Sequence, residues 1–235
     1  MYKLISTLWL ILITFNLSVR AQNEYCLKQD NKLFGTQEIL LNDSQFSLLN
    51  LKQSTQIYCQ KPDYLVYYIN LKKKIYYTTI INDIKDPQGS GIVNMLVYGG
   101  KLMKNTDCWV KKGILKNKNY TGFVYKFKYP DNLPSKTNIF YKLIISDVKD
   151  INPNFLKLHS KLNGFPVLPS LVLELSYINE SARIDEFITT SELLKSSQVI
   201  HKPNLNGFTK VNSYSEYLGL VSNKKILNDF FDLTK

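Results

Sequence analysis

The sequence predicts a mainly β protein of the β-rich α+β type. We expect one large curved antiparallel sheet, a sandwich or open barrel, with a short C-terminal helical segment packed on it. Apolar and polar residues alternate with a period of two in many separate segments. Turn sequences such as Lys61-Pro62-Asp63 and Gly99-Gly100 lie between those segments. Helical periodicity is scarcer and is strongest near the C-terminus.

The predicted strands share this alternation and are bounded by turn residues. In chain order they cover residues 37–41, 46–51, 55–59, 64–69, 75–81, 92–98, 108–112, 123–129, 139–146, 171–178 and 183–188. Helices are expected at 154–162, around 192–197 and at 215–233, where Gly219 and Ser222-Asn223 interrupt the last one. We find no fixed-period repeat and no low-complexity linker. Residues 22–200 therefore form a β-rich domain, and residues 201–235 add an irregular connection and the C-terminal helical segment of the same domain.

Residues 1–21 have the pattern of a cleaved secretory signal peptide. Lys3 precedes an apolar run over residues 4–19, and Val19 and Ala21 place small side chains at positions −3 and −1 of a cleavage site before Gln22. The alternative is an uncleaved anchor, but a bilayer span needs about 20 apolar residues and this run is shorter and broken by polar residues. We expect a secreted, extracellular protein.

Three acceptor sequences for N-linked glycosylation follow in the mature chain. They begin at Asn42, Asn119 and Asn179, and each lies at a predicted turn. If these asparagines carry glycans, the turns that contain them must lie on the surface. We predict a glycoprotein.

The cysteines are Cys26, Cys59 and Cys108, an odd number for a compartment that oxidises thiols. Cys59 and Cys108 both lie in apparent strands, so a bridge between them is the favoured pairing. Cys26 then stays unpaired or links two molecules in a dimer. A Cys26–Cys59 bridge is the remaining alternative.

The formal net charge is +11, and residues 71–128 hold most of the surplus, with twelve lysines against three aspartates. The candidate polyanion patch comprises Lys72, Lys73, Lys74, Lys111, Lys112, Lys116, Lys118, Lys126 and Lys128. Its partner would be an anionic membrane surface or a glycosaminoglycan. Lysine lacks the bidentate geometry of arginine, which argues against sequence-specific nucleic-acid binding. The competing interpretation is an ordinary solvated strand face.

Aromatic side chains are frequent on the predicted strands. We expect Tyr68, Tyr77, Phe123 and Phe127 on one face of the sheet, where they would line a cavity for a lipid or another hydrophobic small molecule. The alternative is a two-layer core that these rings simply fill.

Catalytic and cofactor motifs are not found in the sequence. Gly99-Gly100-Lys101 lacks the first glycine and the hydroxyl residue of a phosphate-binding loop. His159 and His201 have no second histidine or cysteine at metal-ligand spacing. We therefore predict a protein that is not an enzyme and that needs no metal or cofactor.

One family resemblance covers about a quarter of the chain and rests on the order and spacing of segments. Its segments are KLIIS at 142–146, GFPVLP at 164–169, the predicted strand 171–178 and IDEF at 184–187. Together they resemble the late part of secreted LolA-like and ependymin-related domains. The resemblance implies a leader, few cysteines, glycosylation and a curved antiparallel sheet that cradles hydrophobic molecules. A late cysteine of that family is absent here, which leaves Cys26 without the partner the family would supply.

Two functions follow from these observations. The first is a secreted, non-catalytic binding module that holds a lipid or other hydrophobic ligand in the cavity of a curved sheet. The second is an extracellular protein-interaction, adhesion or effector domain with a lysine-rich surface and no ligand pocket.

Overall fold

Strands dominate the computed structural model, which describes residues 24–32, 34–84, 106–128, 140–163, 167–178, 184–196 and 198–219. The strands are β1 (Tyr25–Asn31), β2 (Gly35–Leu41), β3 (Gln45–Asn50), β4 (Thr55–Gln60), β5 (Leu65–Asn70), β6 (Ile75–Ile80), β7 (Trp109–Lys116), β8 (Thr121–Phe127), β9 (Phe140–Ser146), β10 (Val172–Ile178), β11 (Ile184–Lys195) and β12 (Thr209–Lys210). The α-helices are α1 (Pro153–Asn163) and α2 (Tyr214–Leu218), and 3₁₀ turns cover Ile81–Asp83 and Thr106–Cys108.

All twelve strands join one open sheet in the order β12-β6-β5-β4-β3-β2-β1-β11-β10-β9-β8-β7. Every neighbouring pair is antiparallel except β12 with β6, which is parallel over two residue pairs. On one side of β1, strands β2 to β6 follow in chain order. On the other side, β11 lies next to β1, and the strands continue in reverse chain order to β7 at the edge. The predicted β-rich fold with a large sheet and a short C-terminal helix is confirmed.

Three predicted elements differ from the structure. Residues 192–197 were expected to be helical, but β11 continues to Lys195 because it pairs with β1 over Tyr25–Lys28. The strand expected at 92–98 lies outside the described residues. The C-terminal helix is described as α2 only, and it ends at Gly219, whose φ of 76° is left-handed.

Strands β3 to β6 follow a ten-residue repeat that was not predicted. Each has six residues and is joined to the next by a four-residue turn at 51–54, 61–64 or 71–74. Each turn ends on a residue with positive φ: 52° at Ser54, 50° at Tyr64 and 51° at Lys74. Because the strands alternate in direction, turns 51–54 and 71–74 lie at the same end of the sheet.

The main core lies between one face of the sheet, called here the helix-bearing face, and α1. Phe155 and Leu158 of α1 are fully buried, and the ring of Phe155 lies 6.1 Å from that of Phe46 on β3. A second core cluster covers the opposite face of strands β7 to β11, with Trp109, Phe127 and other apolar side chains. Within the described ranges, neither helix is long and apolar enough to cross a membrane.

Candidate functional site

A cavity of about 360 Å³ lies between strands β2 to β5 and the adjoining ends of the two helices. We call it the tyrosine cavity. It is lined by Phe34, Gln37, Leu48, Asn50, Gln53, Thr55, Ile57, Tyr68, Asn70, Lys73, Leu162, Asn163, Tyr214, Tyr217 and Leu218. Tyr68 and Tyr217 are buried, whereas Gln53 and Lys73 are exposed. The cavity therefore runs from the protein interior toward the turns at 51–54 and 71–74.

Helix α2 is short and is capped by hydrogen bonds at both ends. The Ser213 hydroxyl accepts a hydrogen bond from the Glu216 N–H at 3.1 Å, and Glu216 Oε2 accepts one from the Asn212 N–H at 2.9 Å. Gly219 closes the C-terminus by donating its N–H to the Glu216 carbonyl. This short helix carries Tyr214 and Tyr217 three residues apart, so both rings point from one side of it.

These two rings close the cavity against two strand tyrosines. The Tyr214 centroid lies 5.2 Å from that of Tyr68 and 6.0 Å from that of Tyr77. The Tyr217 ring lies 6.0 Å from Tyr68 and 5.8 Å from Tyr214. These separations are within the range of attractive aromatic pairs. One wall of the cavity is thus formed by Tyr68, Tyr214 and Tyr217, with Tyr77 packed behind them.

Burial makes the three phenols that line the cavity harder to ionise. Desolvation raises the pKa of Tyr68, Tyr214 and Tyr217 above the ordinary value of tyrosine. Near neutral pH the hydroxyl groups stay protonated. The wall therefore combines apolar ring surface with a few O–H groups and carries no charge.

The sheet wall is organised in rows across the strands. Leu48, Ile57, Tyr68 and Tyr77 are opposite one another in register and form an apolar row. Two residues further along each strand, toward turns 51–54 and 71–74, lies a polar row. Its members, also opposite in register, are Gln29, Gln37, Asn50, Thr55 and Asn70.

Two members of the polar row cap the turns. Asn50 Oδ1 accepts a hydrogen bond from the Gln53 N–H at 2.9 Å, and Asn70 Oδ1 accepts one from the Lys73 N–H at 2.8 Å.

Gln37 is the third amide of the polar row that lines the cavity, and it is 4% exposed. Its Oε1 has no hydrogen-bond partner among the described residues. A buried polar atom without a partner costs about 1–3 kcal/mol, so this side chain offers hydrogen-bonding capacity to a bound group.

Lysines surround the end of the cavity beyond the polar row. Lys52 lies in turn 51–54, and Lys72, Lys73 and Lys74 lie in turn 71–74, all exposed. Lys73 also lines the cavity, and a Cβ placed on Gly219 would lie 3.5 Å from its ammonium nitrogen. The cavity therefore has a positively charged rim next to α2.

The predicted aromatic face is divided between two places. Tyr68 lines the tyrosine cavity and Tyr77 packs behind it, as expected for one apolar face. Phe123 and Phe127 belong to the second core cluster, on the opposite face of the distant half of the sheet. Placing them with the tyrosines was wrong, because alternation assigns faces only within a strand and β8 is separated from β5 by most of the sheet.

The predicted disulfide is not formed, and all three cysteines are buried free thiols. Cys59 lies on β4 in the main core, and Cys108 lies beside β7 at the far edge in the second cluster. They are too far apart in strand order to bridge. Burial raises the pKa of Cys59 to about 12. Cys26 donates to Glu38 Oε1 at 3.7 Å, so the predicted dimer through Cys26 would require β1 to open.

The candidate polyanion lysines do not form one patch. Lys72, Lys73 and Lys74 lie in the β5–β6 turn near one edge of the sheet. The other six lie on or next to β7 and β8 at the opposite edge: Lys111, Lys112, Lys116, Lys118, Lys126 and Lys128. Lys111 Nζ lies 3.7 Å from the centre of the Phe123 ring, a cation–π contact.

The acceptor asparagines have different surroundings. Asn42 is 5% exposed, and its Oδ1 accepts hydrogen bonds from the Ser44 N–H, the Ser44 hydroxyl and the Gln45 N–H. Asn119 is exposed in the β7–β8 turn. Asn179 and residues 1–21, which are predicted to be a signal peptide, lie outside the described residues.

The sequence analysis missed Tyr214, Tyr217 and the polar row. A signal for the two tyrosines exists: a serine cap at 213 and a glycine at 219 bracket a short helix that carries both rings. The polar row depends on the pairing of five strands, which no local pattern reports. Across the described residues, no group of three or more histidine, cysteine or acidic side chains is arranged to hold a metal ion.

No family model and no curated protein matches the chain. Among solved structures, it is similar to an uncharacterized conserved protein from Thermus thermophilus, with 7% sequence identity and a TM-score of 0.41. The similarity covers 86% of this chain and 98% of that chain. A likeness this distant carries no argument about fold or function.

Proposed function

We propose that this protein is a secreted, non-catalytic binding module that holds a lipid or another small hydrophobic molecule in the tyrosine cavity. The observation that carries the proposal is the cavity itself, a half-open pocket lined by the helix-bearing face of the sheet and two helices. Its volume of about 360 Å³ falls within the usual range of about 300–1,000 Å³ for small-ligand sites. Secretion and glycosylation rest on the leader and the acceptor sequences.

The composition of the wall supports a largely apolar ligand. Leu48, Ile57, Leu162 and the tyrosine rings supply apolar surface, and a few amides supply polar groups. Apolar walls with a small number of placed polar groups are typical of sites for small organic molecules. Burial of ligand surface at about 25 cal/mol per Å² would drive binding.

The second function, an interaction or adhesion domain without a pocket, gives this cavity no role. The division of the lysines between two sheet edges also weakens the case for one broad anionic interface. The proposed resemblance to LolA-like and ependymin-related domains implies a curved antiparallel sheet that cradles hydrophobic molecules, and the tyrosine cavity is where this chain would hold one. That resemblance remains a proposal.

Native mass spectrometry of protein purified from a secretory host tests the proposal. We expect a co-purifying organic molecule that is released on denaturation. Ile57→Trp fills the cavity and should abolish that extra mass. Ile114→Trp is the matched control, because Ile114 is 59% exposed at the far edge strand. Bare polypeptide in the wild type, together with unchanged binding of added octanol in Ile57→Trp, would refute the ligand-binding function.

A further inference from the structure

Polarity changes in three steps along the sheet wall of the tyrosine cavity. The apolar row of Leu48, Ile57 and Tyr68 lies deepest. The polar row of Gln37, Asn50, Thr55 and Asn70 follows in register. The lysines of turns 51–54 and 71–74 come last, at the exposed end. An amphiphile has the same order of tail, polar linkage and charged head.

We propose that the ligand is a single-chain amphiphile with an anionic head group, bound with its head at Lys73 and its tail along the apolar row. This inference rests on the proposed function of the cavity and adds the class and orientation of the ligand. The head group is a carboxylate or a phosphate monoester, since both present the charge that the rim selects.

The charge of the rim favours an anion. Lys73 Nζ has no ion pair with a described carboxylate, and the neighbouring Lys72, Lys74 and Lys52 have the same sign. Glu216, the acidic residue of the nearby helix α2, accepts the Asn212 N–H at Oε2. Within the part of the chain that the structure describes, an entering anion therefore meets a local surplus of positive charge. Its attraction steers the anion and is weakened by salt.

The buried amide of Gln37 is a second and independent indication of a polar group inside the cavity. Its Oε1 has no partner among the described residues, although the side chain is almost fully buried. A wholly apolar ligand would leave that oxygen unsatisfied. Because that oxygen is itself inaccessible, a hydroxyl or a bound water of the head group reaches it only if the Gln37 side chain turns toward the cavity that it lines.

Titration calorimetry with three probes that share an eight-carbon chain tests the proposal: octanoate, 1-octanol and octyltrimethylammonium. The two ions are kept below their micelle concentrations and 1-octanol below its solubility limit. We expect octanoate to bind more tightly than 1-octanol by about threefold to tenfold at low salt, and the cation to bind most weakly. The octanoate advantage should shrink at high salt.

Two lysine variants locate the head group. Lys73→Gln should weaken octanoate by about threefold to fivefold and leave 1-octanol unchanged. Lys72→Gln, in the same turn but not lining the tyrosine cavity, should change either probe by less than about twofold.

Equal affinity for octanoate and 1-octanol, or an octanoate affinity that Lys73→Gln leaves intact, would overturn the anionic-head proposal while leaving the cavity as a binding site. If none of the three probes binds the wild type, and no organic mass co-purifies, the proposed function itself fails.

Discussion

Asn42 and Asn119 have the same type of acceptor sequence but different surroundings. Asn42 closes an Asx turn with three hydrogen bonds to its Oδ1 and is buried. A sugar on its Nδ2 would need space that the buried side chain does not have. Asn119 is exposed at the β7–β8 turn and meets no such obstacle.

We therefore expect protein from a eukaryotic secretory host to carry a glycan at Asn119 and none at Asn42. Intact-mass analysis should show a glycan mass lost in Asn119→Gln and retained in Asn42→Gln. The latter variant should also lose about 1–2 kcal/mol of unfolding free energy, because the Asx turn is broken. A glycan mass that disappears in Asn42→Gln would contradict this assignment.

His159 gives the folded state a dependence on pH. It is fully buried in α1, and desolvation lowers its pKa to about 4, whereas an unfolded chain has a histidine pKa of about 6.5. The unfolded state thus takes up the proton first as pH falls. The neutral imidazole therefore contributes its full share to the free energy of unfolding above pH 6.5, and this share is lost progressively toward pH 4.

We predict that stability falls between pH 7 and pH 4 by an amount on the order of 3 kcal/mol from this group. The melting temperature of His159→Leu should depend less on pH over that interval than that of the wild type. His201→Leu, at an exposed position, is the control and should keep the wild-type dependence. If the melting temperatures of wild type and His159→Leu changed equally with pH, His159 would not be the source of the pH dependence of stability.

Two glycines in neighbouring strands differ in how tightly their surroundings are packed. Replacing each by alanine therefore distinguishes the effect of packing on stability from that of strand propensity. A Cβ on Gly122 of β8 would lie 2.6 Å from the Ile145 carbonyl oxygen and 2.7 Å from Ile144 Cγ2, whereas one on Gly113 of β7 would meet nothing within 4 Å. The backbone carbonyl cannot move aside cheaply. Strands β8 and β9 therefore approach closely only because residue 122 is glycine.

Urea unfolding of two variants tests this. Gly122→Ala should lose about 1–3 kcal/mol through overpacking. Gly113→Ala should be neutral or slightly stabilising, since alanine restricts the unfolded chain. Equal stability of the two variants would mean that β8 and β9 lie further apart than the structure has them.

Local patterns predicted most strands but missed β1 and β12. The helix-bearing face of β1 includes the buried polar residues Gln29 and Asn31, so its alternation of apolar and polar residues is weak. Residues 192–195 have good helix formers, and pairing with β1 overrides that propensity. Tyr68 and Tyr77 share a face because the short turn between β5 and β6 sets a local register that pairs them, whereas the location of Phe123 and Phe127 depended on sheet order, which is non-local.

The whole molecule divides its aromatic side chains between two faces. Tyr68 of β5 and Tyr214 and Tyr217 of α2 line a cavity with a lysine rim, and aromatic residues of β7 to β9 lie in the second core cluster. Because the two groups of rings lie in different places, their signals can show where a ligand binds. A ligand in the tyrosine cavity contacts only the first group.

Binding of octanoate to protein with ¹³C-labelled tyrosine rings, followed by NMR, tests the central claim most directly. The signals would be assigned by single Tyr→Phe substitutions. We expect changes at Tyr68, Tyr214 and Tyr217 and unchanged signals from Tyr125 and Tyr141, which lie with the second cluster. Saturable changes at Tyr125 and Tyr141 alone, or no change at any tyrosine, would contradict the tyrosine cavity as the ligand site.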